Sequence, residues 1–262
     1  MTSTHAARDD LGAMVDLPGR PKRVVSLVPS LTEALASVDM AALVGVTDWC
    51  THPEGVPATR IRGTKNPDVA GIIDLEPDLV VANQEENRKL DVDRLRAAGV
   101  PVWVTRIETV DEALASMSRL FEEALDWPIP TWLTEATETW AAPSTLSGPR
   151  VSVPIWRDPW MVVGPQTFTA DVLRRLGCTV LPHAAGERYP KVDVQSLDDG
   201  SADVVLLPDE PYVFTAENGP EAFHRTPAVL VSGRMLTWYG PSLGPARAYL
   251  EDLLHPWSTP TP

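Results

Sequence analysis

The 262-residue sequence predicts an α/β fold built as two similar lobes. Three observations carry this. Short β-branched runs alternate with helical patterns, which implies parallel strands joined by crossover helices. The two halves repeat one layout at nearly one spacing. A helical stretch bracketed by prolines separates them.

In the first half, strands are expected at 23–28 (RVVSLV), 43–46 (LVGV), 79–82 (LVVA) and 102–105 (VWVT). In the second half they are expected at 151–155 (VSVPI), 161–163 (MVV), 204–207 (VVLL) and 229–232 (VLVS), each run being closed by turn residues. Helical periodicity falls at 30–38, 69–75, 88–98, 167–176 and 194–198. Val25 stands 53 positions before Asp78, and Val151 stands 52 before Asp203. Each half then carries an acidic loop, NQEEN at 83–87 and PDE at 208–210, and a last strand entered through proline.

Between the halves, Thr109-Val-Asp-Glu112 opens a helix with a threonine cap and two acids in its first turn. Val110, Ala113, Leu114, Met117, Leu120 and Phe121 share one face of it. A second helix, 131–142, ends before Pro143, because the residue preceding proline avoids the α region. The expected division is an N-terminal lobe at 1–127, with residues 1–8 disordered, a helical connector at 128–149 and a C-terminal lobe at 150–262.

Composition narrows the function. The net charge of −14 argues against a nucleic-acid partner. Two cysteines, Cys50 and Cys178, are too few for a disulfide scaffold or a CxxC metal site. No transmembrane run is written in the chain, and residues 1–23 hold no apolar core of a secretory signal. The chain is therefore expected in the cytoplasm; a true start upstream of Met1 would make it an exported protein.

Ligands of parallel α/β sheets bind beyond the carboxyl ends of strands. That rule places Ser30, Trp49, His52, Glu85, Trp156, Arg157, Trp160, Glu210, Trp238 and Tyr239 along a cleft between the lobes. Four of nine tryptophans fall in these loops, where rings offer large, stiff contact area. Trp156 and Trp160 equally suit the packed seam of two lobes. Arg157 either neutralises a charged ligand, as Lys65 can, or pairs with Asp158 in solvent. Cys50, His52 and His183 are too scattered for a metal site, so none is expected. GxGxxG, GxxxxGK, GxSxG and HExxH are all absent, which makes an enzyme the weaker class. A cleft enzyme would use Glu85 and Glu210 for proton transfer.

The opening RVVSLVPSLTEALASVDMAALVGVTDWC (23–50), GTKNP (63–67), IIDLEPDLVVA (72–82), LRAAGVPVWV (95–104), TADVLRRLG (169–177) and RYPKV (188–192) resemble the helical-backbone metal receptor superfamily. That family comprises the substrate-binding proteins of vitamin B12 and iron–siderophore ABC importers. The resemblance implies two Rossmann-like lobes joined by a helix, a class III periplasmic-binding-protein-like architecture. It implies a corrinoid or iron chelate as ligand, and by position it adds Trp49, Thr64, Tyr189 and Trp238 as cleft-lining residues. Transport members present a permease-docking glutamate on each lobe; Ala70 and Gln195 stand at those positions here. A non-exported, non-catalytic binder not docked to a permease is expected, with a transport receptor lacking its export signal as the alternative.

Overall fold

The computed structural model describes the chain apart from residues 1–4, 18, 145, 182–185 and 261–262, so His183 lies outside the described residues. The chain forms two compact α/β units. One comprises Met1–Ile107, Asp111–Ala136 and Tyr239–Pro241; the other comprises Glu108–Val110, Thr137–Trp238 and Ser242–Pro262.

The first unit begins with an antiparallel hairpin, β1 (His5–Arg8) and β2 (Met14–Leu17). Strand β3 (Val24–Ser26) leads into helix α1 (Pro29–Asp39), whose first residue is a proline with no N–H to lose. Strands β4 (Leu43–Val46) and β5 (Thr59–Arg60) follow, then the small hairpin of β6 (Arg62–Gly63) and β7 (Asn66–Pro67). Helix α2 (Val69–Asp74) is capped by Asp68, which accepts the Gly71 N–H at 3.1 Å. Strand β8 (Leu79–Asn83), helix α3 (Lys89–Ala97), strand β9 (Val102–Thr105) and helix α4 (Val110–Arg119) complete the run. The last turn of α4 continues as a π-helical turn, Leu120–Ala124. The sheet order is β5-β4-β3-β8-β9, all parallel. The chain thus builds outward from β3 in one direction and then returns to add β8 on its other side.

Helix α5 (Thr131–Ala141) contains the division between the units. In the second unit a short strand, β10 (Leu146–Ser147), precedes β11 (Arg150–Ser152), and the hairpin of β12 (Pro154–Trp156) and β13 (Met161–Val162) comes next. Thr167 caps helix α6 (Phe168–Arg175), and β14 (Thr179–Leu181), α7 (Val194–Leu197), β15 (Val204–Pro208) and β16 (Ala228–Val231) follow. Helices α8 (Gly233–Thr237) and α9 (Leu243–Leu254) close the unit, and β17 (Thr259–Pro260) pairs with β10. The sheet order β14-β11-β15-β16 is again parallel and again reverses beside its first strand.

The repeat read from the sequence has a physical cause. In the first unit Asp78 accepts the backbone N–H groups of Lys22 and Arg23 at 2.8 and 2.9 Å. In the second, Asp203 accepts the Arg150 N–H at 2.8 Å and its guanidinium at 2.7 Å. Each aspartate fastens the start of the central strand to the strand added after the reversal. The cores are the expected apolar runs, with Leu79, Val80 and Val81 in one and Val204, Val205 and Leu206 in the other fully buried.

The structure corrects the expectation of disorder at residues 5–8. Val15 and Leu17 of the partner strand β2 are buried while Met14 and Asp16 are exposed, so the hairpin has an inner face. Asp9 and Asp10 fix it to the first unit. The run 151–155 is also two strands in different sheets. Proline at 154 has no N–H for the main ladder, and the chain leaves the sheet there.

Candidate functional site

In an open α/β sheet the binding crevice opens where the strand order reverses, beyond the carboxyl ends of the two strands concerned. In the first unit those strands are β3 and β8; in the second they are β11 and β15. Each unit therefore offers one candidate face.

The first face is held by the NQEEN loop. Asn83 accepts the N–H groups of Glu85 and Glu86 at 2.8 and 3.2 Å, an Asx-type turn. The Asn83 N–H in turn donates to the Asn87 side-chain oxygen at 2.9 Å. Its amide also donates to the carbonyls of Leu27 and Thr64, at 3.3 and 3.0 Å. One asparagine thus joins the loops after β3 and β8 to the β6–β7 turn. Lys65, on that turn, donates its ammonium to the Glu85 carbonyl.

Ser30 is buried at the start of α1, beside the Tyr239 phenol. Tyr239 is 7% exposed, and burial together with the nearby Glu86 and Glu85 pushes its hydroxyl far above the ordinary phenol range. Burial likewise raises the Glu86 carboxyl, against the opposing charge of Lys65 and with that of Glu85. Gly240 is required beside them, since a Cβ there would meet the Ser30 carbonyl at 2.8 Å. Trp49 is 66% exposed, with its indole nitrogen beside Gly63. Its loop is anchored by Arg60, which donates to the carbonyls of Thr47 and Cys50 at 2.8 and 2.9 Å. His52 is exposed and bonds Thr51 at 3.1 Å. Cys50 is buried between Thr32 and Thr47, and burial raises its thiol pKa, which leaves it a poor nucleophile.

The second face carries the remaining expected residues, and here the structure separates them. Trp156 is 45% exposed, at the end of β12. Trp160, four residues on, is only 8% exposed; it stacks on Phe214 at 5.8 Å in the unit's core. The expectation of an open ring at Trp160 is therefore corrected, and Trp238, at 6%, is likewise buried. Arg157 lies 3.9 Å from Asp158, the partner that the sequence offered as an alternative to a ligand, and it has further partners. Its guanidinium donates to Glu221 and, at 2.5 Å, to the Asn218 side-chain oxygen, and it lies over the Trp160 ring. Glu210 packs against α8, where a Cβ on Gly233 would meet its Cγ at 2.3 Å. Tyr189 is half-buried in a segment that runs beside the β12–β13 hairpin, its neighbour Arg188 pairing with Glu108 at 2.7 Å.

Tyr212, Asn218 and Glu221 were missed by sequence reasoning, which places the whole 84–87 stretch, Glu86 and Asn87 included, among the strand-end loops. Tyr212 follows the second acidic loop directly, whereas Asn218 and Glu221 carry no local signal. Ala70 and Gln195 are both exposed, each the second residue of its helix. Among the described residues no group of three or more histidine, cysteine, aspartate or glutamate side chains can hold a metal ion. No described helix is long and apolar enough to cross a membrane.

No model of a known protein family matches the chain. The vitamin B12-binding protein of Pectobacterium carotovorum is 28% identical to it over 102 residues, 38% of this chain and 37% of that protein. An uncharacterized ABC transporter substrate-binding lipoprotein of Bacillus subtilis is 35% identical over 112 residues, 41% of this chain and 36% of its own length. The chain thus spans little more than a third of the length of these curated relatives. Among solved structures, the periplasmic haem-binding protein of Roseiflexus sp. RS-1 in its apo form superposes with a TM-score of 0.73 at 20% identity, covering 90% of this chain and 98% of that one. The chain therefore has the α/β fold of the periplasmic binding proteins and, over part of its length, resembles in sequence their vitamin B12-binding relatives, as the likeness to the helical-backbone metal receptor superfamily implied.

Proposed function

We propose that this protein is a non-catalytic binder of a metal-chelate-like small molecule, a corrinoid or an iron chelate, with the loops beyond the carboxyl ends of its strands as the contact residues. The single observation that carries this reading is the presence, in each unit, of an exposed indole in a loop beyond the carboxyl ends of the strands. Trp49 stands in a carboxyl-end loop of the first sheet and Trp156 in one of the second. Exposed tryptophan is costly in water and suits a large, partly apolar guest. The relatives' names support the class of ligand and support binding rather than turnover.

Exposed, uncharged Ala70 and Gln195 support a protein that works without permease docking, because charge pairs across such an interface steer and orient it. We extend the reading to a cytoplasmic location, which antibody fractionation of the native host tests; recovery with exported proteins would reverse it.

Titrating cyanocobalamin, haemin and a ferric siderophore into the purified chain tests the main reading. Saturable quenching of tryptophan emission and a raised melting temperature are expected with at least one of them. Neither response from any of the three would remove the reading.

A further inference from the structure

Trp156 stands at the top of a closed network within the second unit. Its ring meets Tyr212 edge to face at 5.6 Å. The Tyr212 hydroxyl accepts a 2.9 Å bond from the Asn218 amide, and the Asn218 side-chain oxygen accepts from Arg157 at 2.5 Å. Arg157 lies 5.4 Å over Trp160, which stacks on Phe214, and Phe214 returns to Tyr212 at 4.7 Å. Every member below Trp156 is thus fixed by two neighbours, while Trp156 itself stays open to solvent. Both supporting loops leave the carboxyl ends of β11 and β15, the neighbouring strands at the reversal.

The two segments that carry this ring pair are acidic. Residues 156–158 and 209–221 carry five acids (Asp158, Asp209, Glu210, Glu217 and Glu221) against one base, Arg157. Glu221 remains ionised, because the Gly219 N–H and then the Arg157 guanidinium hold its carboxyl below the usual range. Its pairing with Arg157 cancels the single positive charge present. An anionic guest meets repulsion here, whereas a flat cation gains both ring face and carboxylate field.

We propose that Trp156 and Tyr212 form a preformed platform for a flat, conjugated, positively charged group of the ligand. Asn218, Arg157 and Glu221 act as positioning residues that hold the Tyr212 ring beneath Trp156. The inference rests on the small-molecule reading above and narrows it to a chemical class.

The test compares two three-ring probes of one size, N-methylacridinium (cationic) and anthracene-9-carboxylate (anionic), titrated into the full chain at about physiological salt. The cation is expected to bind about tenfold more tightly, in line with a desolvated cation–π contact. Trp156→Ala is expected to weaken it by about that factor with the circular dichroism and melting curve retained. Asp158→Asn with Glu217→Gln should narrow the ratio between the two probes. Should Trp156→Ala unfold the chain, Trp156→Leu, which keeps apolar bulk and removes the ring, gives the same reading. Equal or tighter binding of the anion, or a cation affinity indifferent to Trp156, overturns the proposal. Failure of both probes to bind overturns it too, while cobalamin or haemin binding in the same cuvette would leave the broader reading standing.

Discussion

The buried carboxylate of Asp9 receives a 2.7 Å bond from the guanidinium of Arg96, 87 positions later in the chain. The same carboxylate accepts the N–H groups of Leu11, Ala13 and, at 3.4 Å, Val104. It therefore shapes the hairpin turn and fixes that turn to β9 and α3 together. Removing one partner of such a pair leaves a charge without its complement. Asp9→Ala is expected to lower stability by about 2–4 kcal/mol, read as a drop in the urea midpoint at unchanged slope.

Glu86 predicts an unusual pH response. Its folded carboxyl is raised above the ordinary value of 4.5, chiefly by burial, so the folded chain binds this proton more tightly than the unfolded one. Stability from this group is highest below 4.5 and declines as pH rises through the folded value. Glu86→Gln should therefore raise the melting temperature at neutral pH, and the gain should shrink to nothing below 4.5. A gain that grows on acidification would contradict the assignment.

Asp203 works in the opposite sense. Its hydrogen bond from the Arg150 side chain holds its carboxyl below the ordinary 3.8. Stability from this pair is present above 3.8 and is lost as pH falls through the folded value. In Asp203→Asn the melting temperature should drop at neutral pH, and thermal melts recorded toward pH 2 should converge with the unaltered chain.

Gly164 sits where no side chain fits. A Cβ would stand 2.2 Å from the Glu187 carbonyl oxygen and 2.8 Å from that of Arg188, both of them backbone. The Gly164 N–H donates to the same Arg188 carbonyl at 2.7 Å. Gly164→Ala should cost about 1–3 kcal/mol by forcing the 187–190 segment away. Altered fluorescence of nearby Trp160, alongside chemical denaturation, would register that displacement.

The α/β alternation was legible because local residues write it. LVGV at 43–46 is β4 to the residue, and 30–38 grows only by one residue at each end into α1. The hairpin was not legible, since HAAR has no apolar alternation and its order comes from Asp9 and Asp10 meeting Arg96 and Arg119 far along the chain. The candidate faces were half legible. Strand ends located Trp49 and Trp156, but nothing around Trp160 tells it from Trp156. Phe214 and Phe223, much later in the sequence, decide that one ring is covered and the other open. The further partners of Arg157 were not legible for the same reason, because Asn218 and Glu221 reach it only through the fold.

The β1–β2 hairpin has one more consequence, at the rim of the first sheet. β9 is the outermost strand there, and the Asp10 N–H and Asp9 carboxylate take up the carbonyl and N–H of Val104. A chain cut back beyond Asp10 would leave this rim as bare main chain, open to pairing with another molecule. Such a truncation should show itself first as self-association, before any loss of helix is seen.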